Sequence, residues 1–162
     1  MIELRDLRRA DWPILLALNR ASVRELSELN ERRLRSIVSL AHRSLVIESG
    51  GQLVAFAIAI GPGTSYDSLN YRWFDEHYRR FLYLDRIAVS ASLRRKGIGT
   101  RLYDEMETTA MPFERMVCDV NLKPANDASL AFHAARGYRE IGQLAHSKEK
   151  TVSLLSKELG SL

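Results

Sequence analysis

Three cations and two glycines stand together at Arg94-Arg95-Lys96-Gly97-Ile98-Gly99. Glycine lets a backbone approach a ligand closely and take conformations that other residues avoid. Ile98, Leu102, Met106 and Ala110 then recur every four positions, the apolar stripe of a helix that starts inside this run. A helix start aims its first N–H groups, and the positive end of its dipole, at one point in space. Beside three cations, such a point suits a phosphate group. Cys118 promises less chemistry, because no neighbour in sequence would activate its thiol, and it reads as a small core residue. A single cysteine leaves no internal disulfide, and no Cys/His spacing suggests a metal ligand set, so no metal is expected.

The elements that position this loop can be read on both sides of it. Residues 81–89 (FLYLDRIAV) are rich in β-formers and suit a largely buried strand. Pro112 ends the helix, and residues 115–121 form a second strand. There Val117, Asp119 and Asn121 share one face while Cys118 and Val120 share the other. Asn126 is a good N-cap and Gly137 a good stop for the next helix, which is apolar on most sides and is expected to be buried. Residues 138–144 and 151–155 close the chain as two strands.

Upstream, residues 2–7 alternate as a strand. Asp11 is expected to cap a helix that carries Pro13 in its first turn. A second helical stretch spans about residues 23–41, with Asn30 breaking it or capping its second half. Residues 44–48 and 53–60 read as strands around a Gly50-Gly51 hairpin turn. Residues 64–80 read as a long connection holding Tyr66, Tyr71, Trp73, Phe74 and Tyr78. A loop of that length is often functional. Its aromatics either pack the loop onto the body or form a substrate wall.

The order is thus β-α-α-β-β-β-α-β-α-β-β. The strand–helix–strand unit of residues 82–120 predicts a parallel pair with a right-handed crossover. Hairpin-like connections elsewhere make the sheet mixed, so the class is α/β (α+β) without a doubly wound nucleotide fold.

With 162 residues the chain suits one domain with a real core. Its net charge of +4 is compatible with nucleic acid, anionic lipid or a phosphorylated small molecule. Only residues 94–96 cluster tightly, and their glycine context favours a small anion over a duplex. Without an apolar run of about 18 residues, and with early charge in place of a leader, a cytoplasmic protein with no membrane and no nucleic-acid partner is expected. Monomer and homodimer are both open.

Two motifs carry a family resemblance. Arg94-x-x-Gly97-x-Gly99, after a strand ending Ile87-Ala88-Val89, resembles the pyrophosphate loop of the GNAT acyltransferase superfamily. Asn126-x-x-Ser129-x-x-Phe132-His133-x-x-x-Gly137-Tyr138 resembles the family's second motif. Together, in this order, they are specific, and the resemblance covers nearly the whole chain, residues 1–162, as one acyltransferase domain. The chain is similar to a bacterial group whose acceptor is not assigned, and its second motif also resembles the phosphinothricin-type N-acetyltransferases of amino-acid analogues.

The resemblance implies a mixed sheet of six to seven strands with a splayed parallel pair and about four helices. It also implies acetyl-CoA as co-substrate and a small-molecule primary amine, possible amino-acid-like amines included, as acceptor. The amine would attack the thioester directly. Arg94, Arg95, Lys96, Gly97, Ile98, Gly99 and Thr100 would hold the pyrophosphate. Ile87, Ala88 and Val89 would lie along pantetheine, with a backbone N–H near Val89 polarising the thioester carbonyl. Asn126, Ser129, Phe132 and His133 would complete the cofactor side.

Proton transfer falls to three candidates. His133 stands where family members often carry a tyrosine acid, and an imidazole can serve there as acid or as hydrogen-bond donor to sulfur; alternatively it is a helix histidine tied to a backbone carbonyl. Asp119 and Asp85 compete as base, and Asp85 can instead pair with Arg86. Tyr66, Tyr71, Trp73, Phe74, Tyr83 and Asp85 are the expected substrate contacts, with Asn19, Glu25 and Glu28 near the acceptor mouth. A non-catalytic acyl-CoA-binding sensor and a nucleic-acid-binding domain are the rival readings.

Overall fold

Gly50 and Gly51 both take positive φ, 59° and 79°, as a two-residue hairpin turn requires. They join β2 (Arg43–Ser49) to β3 (Gln52–Ile60) in the computed structural model, which describes residues 1–22 and 26–160. The remaining elements are β1 (Ile2–Asp6), α1 (Trp12–Ala21), α2 (Glu31–Leu40), α3 (Leu69–His77), β4 (Leu82–Val89), α4 (Ile98–Ala110), β5 (Arg115–Lys123), α5 (Asp127–Ala135), β6 (Arg139–Ala145) and β7 (Thr151–Glu158). The strands hydrogen-bond in the order β1-β2-β3-β4-β5-β7-β6. This is a mixed seven-stranded sheet. β4 and β5 pair in parallel at Leu82↔Met116 and Tyr83↔Val117, while β1–β2, β2–β3, β5–β7 and β6–β7 are antiparallel. Among the described residues no helix is long and apolar enough to cross a membrane. The chain divides into two compact units, Met1–Ile60 with Leu84–Thr108, and Gly61–Tyr83 with Thr109–Leu162.

In the first unit β3 is buried along nearly its whole length, which accounts for its unbroken apolar run (VAFAIAI). α1 packs on β3 and buries Trp12 and Leu15; α2 buries Leu34 and Ile37. Two expectations change here. Asp11 precedes α1, but its side chain does not cap that helix. Its carboxylate instead accepts the Arg8 N–H at 2.8 Å and both terminal nitrogens of Arg5 at 2.8 Å. A forked guanidinium outcompetes an N–H for a carboxylate when the geometry allows two parallel bonds. The second helix starts at Glu31, after Asn30, whose side chain accepts the Arg33 N–H at 2.8 Å. The part of that predicted helix at residues 23–25, Glu25 included, lies outside the described residues.

In the second unit the predicted long connection contains α3. Ser68 caps it by accepting the Tyr71 N–H. Tyr71 and Phe74, one turn apart, face inward and are buried. The Tyr71 hydroxyl donates to the Gly61 carbonyl at 2.7 Å and accepts the Thr64 N–H at 3.0 Å. Polar residues between aromatics concealed the helical period. α5 departs from expectation in the opposite sense, because His133 is its one buried residue. Ala128, Ala131, Ala134 and Ala135 are exposed. The apolar count of this helix is mostly alanine, which favours helix and has little surface to bury.

Because Arg5 holds the Asp11 carboxyl below the usual carboxylate range, this pair stabilises the fold fully above the unfolded value of about 3.9, and that contribution is lost as pH falls through the lower folded value. Asp11→Asn should cost about 1–3 kcal/mol at pH 7. In urea unfolding followed against pH, the gap to wild type should hold near pH 6 and close only below about pH 4.

Candidate active site

β4 ends at Val89, and the Ser90 N–H donates to the Val54 carbonyl on β3 at 2.8 Å. A 3-10 turn at Ala91–Leu93 follows. Arg95 takes φ 65° and Gly97 φ 80°, so the chain is left-handed twice before α4 begins. Ile98 is buried and anchors the helix start, while Arg94, Arg95, Lys96 and Thr100 are exposed. The positive φ explains Gly97. It does not explain Gly99, whose φ is ordinary and where an added Cβ would meet nothing within 4 Å. Nothing in the fold keeps position 99 bare, although a side chain there would project over the first turn of α4. The first N–H groups of a helix have no acceptor within it, so this turn presents donors beside three exposed cations. The arrangement fits a pyrophosphate.

On β4, Asp85 and Arg86 form an ion pair at 2.8 Å, with both side chains about 95% buried (5% and 4% exposed). Arg86 also donates to the Asn19 side chain at 3.1 Å and to the Ser27 hydroxyl at 3.0 Å, and Asn19 donates to the Ser27 carbonyl at 3.0 Å. Asp85 thus has its charge matched inside a closed set of bonds. Asn19, expected near an acceptor mouth, is fully buried in that set, and Glu28 is exposed. Removing the Asp85 carboxylate would strip Arg86 of its counter-ion in a buried place, where breaking a pair is expensive.

Asp119 is held differently. The Tyr83 hydroxyl donates to its Oδ2 at 2.6 Å. The side of the sheet on which this happens follows from register. Tyr83 lies opposite Val117, and Asp119 lies opposite Leu154. Directly paired residues share a face, so Tyr83, Val117, Asp119 and Leu154 lie on one face. α3 covers it: Tyr71 and Phe74 approach Tyr83 with ring centroids 5.8 and 5.7 Å apart, and Trp73 sits 2.9 Å from where a Cβ on Gly142 would be.

His133 belongs to the other face. Its ring meets Tyr138 edge-on at 5.2 Å, and Tyr138 lies under Lys157, which pairs with Met116 on the side of β5 away from Asp119. His133 Nδ1 is 2.7 Å from the Ser129 carbonyl. A carbonyl only accepts, so Nδ1 carries the proton and Nε2 is the nitrogen that can change state. Ser129 Oγ lies 3.3 Å from the same Nδ1. Asn126 acts as N-cap, accepting the Ser129 N–H at 3.3 Å, and Phe132 is half-buried with its ring edge-on to His133.

The second unit therefore brings Tyr83 to Asp119, and Ser129 to His133, on opposite faces of its sheet. It does not leave the expected aromatics as an open wall. Tyr66, Tyr71, Phe74 and Tyr83 are interior residues, because their rings fill the space between α3 and β4. Trp73 remains half-buried, stacked on His77 at 3.8 Å. The Arg86–Asn19–Ser27 set escaped the reading of the sequence, since its members are 59 and 67 residues apart along the chain.

A family model described as acetyltransferase (GNAT) family matches residues 1–138. No curated protein sequence matches. Several solved structures share the fold. The ribosomal-protein-S18-alanine N-acetyltransferase from Escherichia coli has TM-score 0.76 at 16% identity, covering 100% of this chain and 96% of that one. Ard1 from Thermoplasma volcanium has TM-score 0.77 at 16% identity, covering 99% of both chains. The IAA acetyltransferase from Bacillus cereus has TM-score 0.70 at 17% identity, covering 98% and 99%. At these identities the likeness concerns the fold alone.

Removing one partner of the buried pair on β4 should be costly. Arg86→Met should lower unfolding stability by about 3–5 kcal/mol, read from the urea midpoint. Asp11→Asn, at a partly solvated pair, serves as the milder reference.

Proposed function

The chain belongs to the acetyltransferase (GNAT) family, and from that premise we propose that it is an acetyl-CoA-dependent N-acetyltransferase acting on a primary amine of a small molecule. The observation that carries this reading is the bare position at Gly99, beside three exposed cations and the first turn of α4. A glycine with no packing reason at a helix start is explained by a ligand that needs the space. The first-turn N–H groups with Arg94, Arg95 and Lys96 would hold the pyrophosphate. Bound there, acetyl-CoA supplies the thioester that the amine attacks. Ile87, Ala88 and Val89 would lie beside it, with a backbone N–H polarising the carbonyl oxygen.

The two carboxylates differ in their partners. Asp85 is paired with a buried cation, whereas Asp119 accepts from a tyrosine hydroxyl. That favours Asp119 as the base that takes a proton from the acceptor's ammonium group, leaving the lone pair free for attack. His133, protonated at Nε2 with its Nδ1–H fixed on the Ser129 carbonyl, would return a proton to the departing thiolate. The same anchoring of His133 gives the sensor reading its support: a histidine that only packs would leave a protein that binds acyl-CoA and releases no thiol.

Titration of acetyl-CoA followed by heat should show binding, and none at hundreds of micromolar would end the proposal. Gly99→Val should abolish that binding with an unchanged melting temperature, because a Cβ there meets no other atom within 4 Å; retained affinity rejects the loop assignment. His133→Phe should lower turnover about 100-fold while acetyl-CoA affinity stays within about twofold. Turnover is measured as free thiol released across a panel of small amines. Unchanged turnover returns His133 to packing.

A further inference from the structure

Tyr83 reads from the sequence as a substrate contact, yet it is only 2% exposed. Its ring is gripped on α3's side by Tyr71 and Phe74, and its hydroxyl ends on the carboxylate of Asp119. We propose that Tyr83 is a positioning residue for Asp119, fixing the carboxylate on the α3-covered face so that the base of the reaction is a tyrosine–aspartate pair. This rests on the reading of Asp119 as base given above.

Three observations converge on the pair. The separation of 2.6 Å is in the range of an O–H donor on an ionised oxygen. A phenol ionises near 10 and a carboxyl near 3.9, so the tyrosine is the donor. Its nearest neighbours on one side are apolar: Val117, beside Asp119 on the same face, and Leu154, directly opposite it, are fully buried. Such surroundings alone disfavour a carboxylate, and a hydrogen bond to the charged form opposes them. Tyr83 is also held on both sides. The parallel register with Val117 sets its backbone, and the α3 rings set its side chain, so the hydroxyl cannot follow a carboxylate that swings away.

Within this unit the other groups on this face do not compete for the role. β7 presents Val152, Leu154 and Ser156, and β6 presents Arg139, Gly142 and Leu144; the one charged group among these, Arg139, is exposed, lies opposite Ser156 and is a cation that cannot act as a base. α3 contributes Tyr71, whose hydroxyl is engaged with the Gly61 carbonyl, and His77, which is exposed and stacked on Trp73. His146, past the end of β6, is bound to Asn70 at 2.8 Å. Arg115 and Glu158 pair with each other on the same face. In the proton step an ammonium N–H bond breaks, an O–H bond forms on Asp119, and Tyr83 keeps its own proton throughout.

Tyr83→Phe removes one oxygen and keeps the ring. The acid limb of the kcat/KM profile should then rise by about one pH unit, and acetyl-CoA affinity should stay within about twofold. The carbon-13 carboxyl resonance of Asp119 in the ligand-free variant should show the same rise in its titration midpoint. An unmoved midpoint in a folded variant overturns the pair. A wild-type protein that acetylates no amine defeats the acetyl-transfer reading instead, and the resonance still decides the pair. If Tyr83→Phe does not fold, Asp119→Asn takes its place: the ring-carbon resonance at the Tyr83 hydroxyl should shift, and an unchanged resonance overturns the proposal.

Discussion

β5 must show its side chains alternately to opposite faces of the sheet, and the arrangement of candidate groups in the second unit depends on that alternation. Val117 and Asp119 look toward α3; Met116, Cys118 and Val120 look the other way. The parallel pairing at Leu82↔Met116 and Tyr83↔Val117 places a tyrosine diagonally beside the aspartate. On the far side Tyr138, between Lys157 and His133, carries α5 against the same sheet. Asp119 and His133 are thus separated by one layer of backbone. A one-residue slip of β5 would exchange the two faces and remove Asp119 from Tyr83.

The two carboxylates, Asp85 and Asp119, show how much a partner's charge matters to a buried acid. Asp85 is matched by a guanidinium that is itself buried and engaged with Asn19 and Ser27. Removing either partner would leave the other charge buried and unmatched, at a cost of several kcal/mol. Asp119 accepts from a phenol. A hydrogen bond from a phenol to an ionised oxygen is worth on the order of 1.5–3 kcal/mol. The first pair ties β4 to the upstream chain; the second is the one on which the proposed proton transfer rests. Burial by itself does not make this distinction, since both groups lie low in the structure.

The α3 segment shows how packing reassigns residues that look chemical in isolation. Tyr71 is bonded through its hydroxyl to Gly61 and Thr64, and its ring to Phe81 and Tyr83. Those contacts fix the helix over the Asp119 face and leave the ring no open side. Gly142 does the complementary work under Trp73, where a methyl group would come within 2.9 Å of the indole. At the far end of α3, Arg115 lies over the Tyr78 ring and bonds the Arg80 carbonyl at 2.6 Å.

The strands, the helix start at Asn126, Asn30 as either a break or a cap, the glycine-containing turn before α4 and the family itself were legible in the sequence. Each depends on neighbours along the chain: a period of two or four, a cap three residues from its target, a glycine where φ is positive. The bare Gly99 was legible as a residue, but only the surroundings showed that the fold does not require it. α3 was hidden because its apolar face is made of aromatics spaced among charges, and α5 was read as buried because alanine counts as apolar without needing cover. Which carboxylate is matched by a buried cation and which accepts from a tyrosine was decided by tertiary structure alone. Asp85 lies next to Arg86 in sequence, but Asn19 and Ser27 reach that arginine from far upstream, and Tyr83 meets Asp119 from 36 residues away. Contacts of that range are set by register and burial, and no local pattern in the chain encodes them.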